Sequence, residues 1–598
     1  LQLFDSWLYD EEKPFIHMEA IPTFEFLKKQ VATGYFEGLI RTYLLDNTHG
    51  AVVIIRPERG RTARMDKELA ERLKAYKESL SPEEVDALVS ATKELEAYQE
   101  EESAPEDLAK IPVLRREDIT RETAPIYNTE MDADGVKMVH HNVETNGIGY
   151  VTLMFDLSGI EEKMLPYVGI LQSVLGIIDT TNYEYGALFN EIHVHTGGSG
   201  TSLELYADVT KVKEKEFRAT FEMKGKALYP KMDVLFSMMR EILMESKLDD
   251  EKRLKEIIAM LRSRLQMSFL SSGHTTAALR ALSYTSPIAK FKDDTDGIGF
   301  YEVVKAIEED FDGHKQELIR NLKEISAKIF RADNLMVSYT SAEQGLEPML
   351  AAFGAVRDSL NDHCGTEAAA GLRTGEGVQA GEGARTGDLQ AAADVDPETA
   401  CVIHCRKRNE GFKTSSKVQY VARAGNFIDG GAEYTGALQI LKVILSYDYL
   451  WQNIRVKGGA YGCMSNFNRI GEGYLISYRD PNLEKTMEIY EGVVDYLENF
   501  NVDDRDMNKF IIGTISNIDR PMNPAAKGSR SMNLYMNHVT EEMIREEREQ
   551  ILTAGQSDIR ALSKVLRAML DAEQICVIGS EEKIEECREM FGEVRTLS

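Results

Sequence analysis

Three short segments of this chain recur in the same order roughly 250 residues further along, and that repetition limits the fold more than any other feature. The first pair is Asp249–Ile258 and Asp503–Ile512, each opening with two aspartates and closing on Ile-Ile. Paired carboxylates suit a helix N-terminus, where the first N–H groups lack partners. The second pair is Tyr185–Ile192, followed by Gly197 and Gly198, and Tyr447–Ile454, followed by Gly458 and Gly459. Leu and Ile four apart predict a helix that runs into a glycine corner and then a strand. The third pair, Ala332–Tyr339 and Ala572–Gly579, predicts a short apolar closing strand and then a final helix. Two tandem copies of one domain account for all three.

A similar closing strand is expected over Leu45–Ile55, so residues 1–60 read as the tail of a preceding homologous domain. At 598 residues the chain exceeds a single hydrophobic core. Residues 61–120 are expected to be a helical hairpin linker. Leu69, Leu73 and Tyr76 stripe its first helix. Ser81, Pro82 and Glu84 restart the helix as N-cap, first position and capping box, ahead of a stripe of Val85, Leu88, Thr92 and Leu95. Residues 121–350 form one copy and 401–598 the next. Residues 351–400 read as a disordered insertion, because 365–400 are rich in Ala, Gly, Glu and Thr and poor in large apolar residues. Within the copies, strands are expected over 148–157, 201–209, 416–424 and 473–479, and helices over 165–178 and 435–450. This is an α+β pattern, with antiparallel sheets carrying helices on one face.

The formal net charge of −29 repels phosphate backbones and argues against nucleic acid. No apolar run reaches the ~18 residues of a membrane span. Six cysteines are too few for a disulfide framework, which points to a reducing compartment, cytoplasmic by default. A start at Leu1 without a leader suggests a fragment or a processed chain.

Catalytic signatures are sparse. Neither HExxH nor HxxEH occurs; His141 and Glu144 come near, but Thr145 stands where a second histidine would. His193 and His195 are expected on one side of a strand, facing a cleft. Cys401 and Cys405 are expected as small core thiols on another strand. No GxSxG elbow or phosphate loop is present. One segment stands out: Leu450–Gly462, with Arg455 at a helix end and Tyr461 at the start of the next strand. A guanidinium holds a peptide backbone by directed N–H bonds, and a phenol stabilises an oxyanion. The same residues also suit an arginine capping helix carbonyls beside a packed tyrosine.

Arg455 and Tyr461, six apart across Lys457-Gly458-Gly459-Ala460, resemble the arginine–tyrosine pair of insulinase (pitrilysin) family zinc peptidases. The hairpin, the tandem copies and the preceding stub resemble its presequence-protease branch. The resemblance implies four homologous α+β domains, of which this chain would hold the end of the second, the linker, the third and the fourth. It implies a zinc site of HxxEH type on an N-terminal half outside this chain. In the third domain Tyr167, Ile170 and Leu171 stand where His, Glu and His would, so that copy is expected to bind no metal. The implied activity is hydrolysis of unstructured peptides in a closed chamber, with Arg455 and Tyr461 binding the substrate backbone and stabilising the oxyanion. The chain alone is expected to be inactive, with the N-terminal half and peptides as partners. The branch name also allows an organelle matrix. The rival expectation is a non-catalytic paralogue used as a peptide-binding or scaffold subunit.

Overall fold

The structure, a computed structural model, describes residues 3–56, 58, 60–101, 104–108, 110–371 and 403–597. It divides into two units, Leu1–Pro112 and Val113–Ser598.

The first unit is helical, and no strand forms among its described residues. Its two longest helices are α1 (Arg61–Ser79) and α2 (Pro82–Glu100). The capping box is as expected: Ser81 Oγ accepts from the Glu84 N–H at 3.2 Å, and Glu84 Oε2 accepts from the Ser81 N–H at 2.8 Å. The stripes of these helices do not close a seam: Leu69, Leu73, Leu88 and Leu95 stay exposed. The strand expected over Leu45–Ile55 does not form. Arg41–Leu45 is a π-helical turn, and beyond it Val52 and Ile55 are 91% and 89% exposed. A strand exists only against a neighbour, and the described residues of this unit supply none.

The second unit holds two six-stranded sheets. Sheet one contains β1 (Thr129–Ala133), β2 (Val136–Asn142), β3 (Ile148–Asp156), β4 (Ser199–Ala207), β5 (Phe217–Leu228) and β6 (Leu335–Ser341). Sheet two contains β7 (Glu410–Thr414), β8 (Tyr420–Asn426), β9 (Gly462–Phe467), β10 (Glu472–Tyr478), β11 (Gln574–Ser580) and β12 (Glu593–Thr596). The orders are β1-β2-β6-β3-β5-β4 and β12-β7-β11-β8-β10-β9. Leaving out the outermost β1 and β12, both sheets place the first, fifth, second, fourth and third strand of their own copy side by side. Each closing strand is central: β6 runs parallel to β2 and antiparallel to β3, and β11 runs parallel to β7 and antiparallel to β8. The tandem duplication is therefore a duplication of topology. The paired aspartates behave as expected, since Asp250 and Asp503 each cap a helix by accepting the N–H three residues on.

The helices that position the rest are α3 (Leu165–Val174), α4 (Tyr185–His195), α5 (Met232–Met244), α6 (Gly273–Leu282), α7 (Leu346–Gly371), α8 (Ala437–Tyr447) and α9 (Pro524–Met536). Helix α7 corrects the disordered insertion expected from 351. Met349, Phe353, Val356 and Leu360 are buried at helical spacing, and α7 packs on α5. Residues 372–400 of that expectation lie outside the described residues. The hairpin boundary at 120 is corrected too. Residues 113–128 belong to the second unit and are tied to the second copy: the Arg548 guanidinium donates to the Thr120 carbonyl (2.9 and 2.8 Å), and the Tyr127 N–H to Ser531 Oγ (3.0 Å).

Each copy lends a helix to the other. Helix α6 of the first copy lies on β8, β10 and β11, while α9 of the second lies against β2, β4 and β6. Behind α6, Glu410 of β7 is fully buried and charged. Arg280 of α6 grips it with Nε at 2.6 Å and Nη2 at 3.0 Å, Tyr284 donates at 3.1 Å, and Arg595 of β12 bonds its other side. Burial raises the Glu410 pKa, but Arg280 and Arg595 outweigh it and hold the carboxyl below its usual range. A depressed carboxyl stabilises the fold above its unfolded pKa, and that contribution fades as pH falls through the folded value. Glu410→Gln leaves two guanidiniums short of a partner and should cost about 3 kcal/mol. Urea denaturation should show this loss at neutral pH and a smaller gap from wild type in acid.

Candidate functional site

Helix α8 is held by Leu438, Leu441, Ile444 and Leu445, all buried in the core of the second copy. After it the chain forms a π-helical turn over Trp451–Val456, with the Lys457 N–H bonded to the Gln452 carbonyl five residues back at 2.9 Å. Such turns widen a helix and swing its side chains outward. The corner closes through the Gly459 N–H to Arg455 O (2.9 Å) and the Ala460 N–H to Ile454 O (3.0 Å). Gly459 takes φ +78°, a left-handed conformation that a side chain would strain. The Tyr461 N–H then bonds Tyr478 O at 3.0 Å and leads into β9, the edge strand of sheet two.

This geometry brings Arg455 and Tyr461 together. The Arg455 guanidinium stacks on Trp451, 4.1 Å from its ring centre, and lies 5.7 Å from that of Tyr461. Tyr461 is 64% exposed and meets Tyr478 edge-on at 5.7 Å. Among the described residues neither the guanidinium nor the Tyr461 hydroxyl has a hydrogen bond or ion pair. The arginine therefore does not cap helix carbonyls, and the tyrosine is not packed away. Trp451, over which the guanidinium lies, carries a signal in its spacing: it stands four residues before Arg455. Five arginine N–H donors and one phenol beside an apolar ring can bind a backbone carbonyl and a developing negative charge.

The other histidines and cysteines are placed differently. His140 and His141 lie buried on β2. The His141 ring bonds Tyr127 O at 2.6 Å and Ser338 Oγ at 2.9 Å, and burial lowers its pKa to about 4. His193 and His195 are on helix α4, not a strand, so two residues turn them ~200° apart instead of onto one face. The apolar residues between glycines suit either element, and the buried Leu188 and Ile192, four apart, decide for the helix. Cys401 lies outside the described residues; Cys405 is half-buried and belongs to no strand. Among the described residues no group of three or more His, Cys, Asp or Glu is placed to hold a metal ion.

Two family models match the chain: the associated domain of peptidase family M-16, subfamily C, over residues 55–307, and "PreP C-terminal domain" over 409–581. "Protein HypA" of Clostridium perfringens is 33% identical over 597 residues, covering 100% of this chain and 58% of that protein. "Presequence protease 1, chloroplastic/mitochondrial" of Arabidopsis thaliana is 27% identical over 591 residues, covering 98% and 52%. The chain belongs to the presequence-protease branch of the insulinase peptidase family.

A solved structure of a conserved protein from Enterococcus faecalis V583 shares the fold, with a TM-score of 0.50 at 11% identity over 76% of this chain and 99% of that one. The chain spans about half the length of the curated relatives it matches. The branch's C-terminal domain, as matched here, contains both Arg455 and Tyr461. Zinc, which the family implies, does not fit the first copy: on α3, Ile170 and Leu171 are wholly buried apolar side chains and Tyr167 packs against the core.

Because its guanidinium has no hydrogen bond or ion pair among the described residues, Arg455→Ala should leave stability within about 0.5 kcal/mol of wild type. Gly459→Ala, which forces a side chain into φ +78°, should cost about 1–2 kcal/mol. It should also change the emission of Trp451, read in a Trp7→Phe background because the chain has only 2 tryptophans. Thermal unfolding and fluorescence check both.

Proposed function

We propose that this chain is the substrate-enclosing C-terminal half of a zinc metallopeptidase that degrades short unstructured peptides. In this reading residues 1–60 are the tail of a preceding homologous domain, the helices that follow up to Pro112 a linker, and 121–350 and 401–598 the third and fourth peptidase-like domains. The exposed Val52–Ile55 run supports the first of these, because it resembles β6 and β11, each of which lies between two neighbours.

The observation that carries the reading is the free Arg455–Tyr461 pair, held at an edge strand with no partner of its own among the described residues. The guanidinium binds the carbonyl of a peptide bond from one side, and the Tyr461 hydroxyl donates to the oxygen as negative charge develops on it. Both groups are fixed before substrate arrives, so little reorganisation accompanies binding. The zinc ion belongs to the N-terminal half; no residue of this chain's described structure is assigned to it. Enclosure by two halves admits extended chains and excludes folded ones. Cys405, Cys463, Cys576 and Cys587 are free thiols, which supports a reducing compartment, cytoplasmic or an organelle matrix.

The test is hydrolysis of a quenched-fluorescent unstructured peptide. The full chain alone should be silent. Mixing with the N-terminal half and zinc should give activity, and Tyr461→Phe or Arg455→Ala should lower it by about 10²–10³-fold. Activity from the chain alone would place the reaction elsewhere. A silent mixture would favour a peptide-binding subunit without catalysis.

A further inference from the structure

The topological repeat pairs α4 with the Trp451–Val456 turn. Each stands before the edge strand of its sheet, β4 or β9, and reaches it through a glycine pair whose second member has positive φ: Gly198 at +106° and Gly459 at +78°. The register that aligns Ile192 with Ile454 also aligns Phe189 with Trp451 and His193 with Arg455. The side chains repeat the geometry. The rings of Phe189 and His193 meet at a tilt of 32° with centres 4.0 Å apart, against 4.1 Å from the Arg455 guanidinium to the Trp451 ring.

The first copy has no tyrosine at the counterpart of Tyr461, yet its stack faces solvent in the same manner. Phe189 is 56% exposed, while Leu188 and Ile192 on the neighbouring face anchor the helix in the core. Phe189 therefore contributes less to folding than they do, and its ring presents an apolar surface directly against the polar ring of His193. The polar half of the stack is defined as well. His193 Nδ1 lies 2.7 Å from the Phe189 carbonyl, which only accepts, so Nδ1 carries a proton. In the neutral ring Nε2 is then a lone-pair acceptor, and it has no partner among the described residues. Arg455 offers donors alone; His193 offers an acceptor. An extended peptide presents both carbonyls and N–H groups, so the two stacks are complementary to the two polarities of one backbone.

We propose that Phe189 and His193 form a second peptide-contact site on the first copy. An apolar side chain of an extended peptide rests on the Phe189 ring, and His193 Nε2 accepts a neighbouring backbone N–H. This takes its ligand class from the peptide-binding reading of Arg455 and Tyr461, but it makes its own contacts.

The experiment is photo-crosslinking of the full chain with a short unstructured peptide bearing a diazirine, with adducts located by mass spectrometry and competed with unlabelled peptide. Competable adducts are expected at residues 185–196 and at 451–461. Phe189→Ala and His193→Ala, both at exposed positions, should each reduce the first by about fivefold, equivalent to ~1 kcal/mol, and leave the second intact. Arg455→Ala should do the reverse. Circular dichroism confirms that each variant is folded. Adducts at 451–461 alone, or labelling of α4 that neither variant reduces, would overturn the second site and leave the proposed function standing. Adducts on α4 alone would keep the site and overturn the role given to Arg455. No competable adduct at either place would overturn both.

Discussion

The two copies are held by an exchange of helices, and both candidate surfaces depend on it. Helix α6 crosses the sheet of the second copy and α9 that of the first, each immediately after the aspartate-capped helix of its own copy. The approach is close enough to require glycine at both crossings. A methyl group on Gly273 would collide with the Tyr420 ring, and one on Gly528 with Thr340 Oγ1. Each sheet thus has its own helices on one face and a borrowed helix on the other. Neither copy can shift without opening a core on both sides.

The charge of Glu410 sharpens that constraint. A carboxylate with none of its surface in water is tolerated only where cations meet it in good geometry. Here they come from α6 of the first copy and from β12 at the end of the second. Hydrophobic contact between sheets and helices is permissive about register. The fork of Arg280, divided between Glu410 and Asp293, is not. Packing supplies most of the attraction between copies, and this ionic cluster selects one way of making it.

Much of this order is legible in the residues because local chemistry and global topology agree. Paired aspartates read as helix starts, and Asp250 and Asp503 cap helices. Apolar runs beginning at Ala332 and Ala572 read as closing strands, and both close their sheets from the centre. The misreadings share a cause, which is that short segments take their structure from neighbours a linear pattern does not show. Leu45–Ile55 carries strand chemistry without a partner strand. His193 and His195 suit a strand until the burial of Leu188 and Ile192 makes the helix. The low-complexity composition of 365–400 was carried back to 351, over the buried Phe353, Val356 and Leu360 of α7. The candidate site was legible in part: Arg455 and Tyr461 stood out by family resemblance, whereas Trp451 and Phe189 became visible only through the contacts their rings make with Arg455 and His193.

Duplication followed by divergence explains why the two stacks differ. The turn that leads through a glycine corner into an edge strand is a poor place for core residues, since one side is always open. Side chains there are free to change chemistry as long as the turn survives. The second copy has a donor-only guanidinium over tryptophan with a phenol beside it, a set suited to a carbonyl that gains charge. The first copy has an imidazole against phenylalanine and no phenol, with Nδ1 committed to the Phe189 carbonyl and Nε2 turned to the surface, a set suited to recognising a backbone. On the proposed function the asymmetry divides the labour within one scaffold: the second copy acts on a bond, and the first holds the chain that contains it.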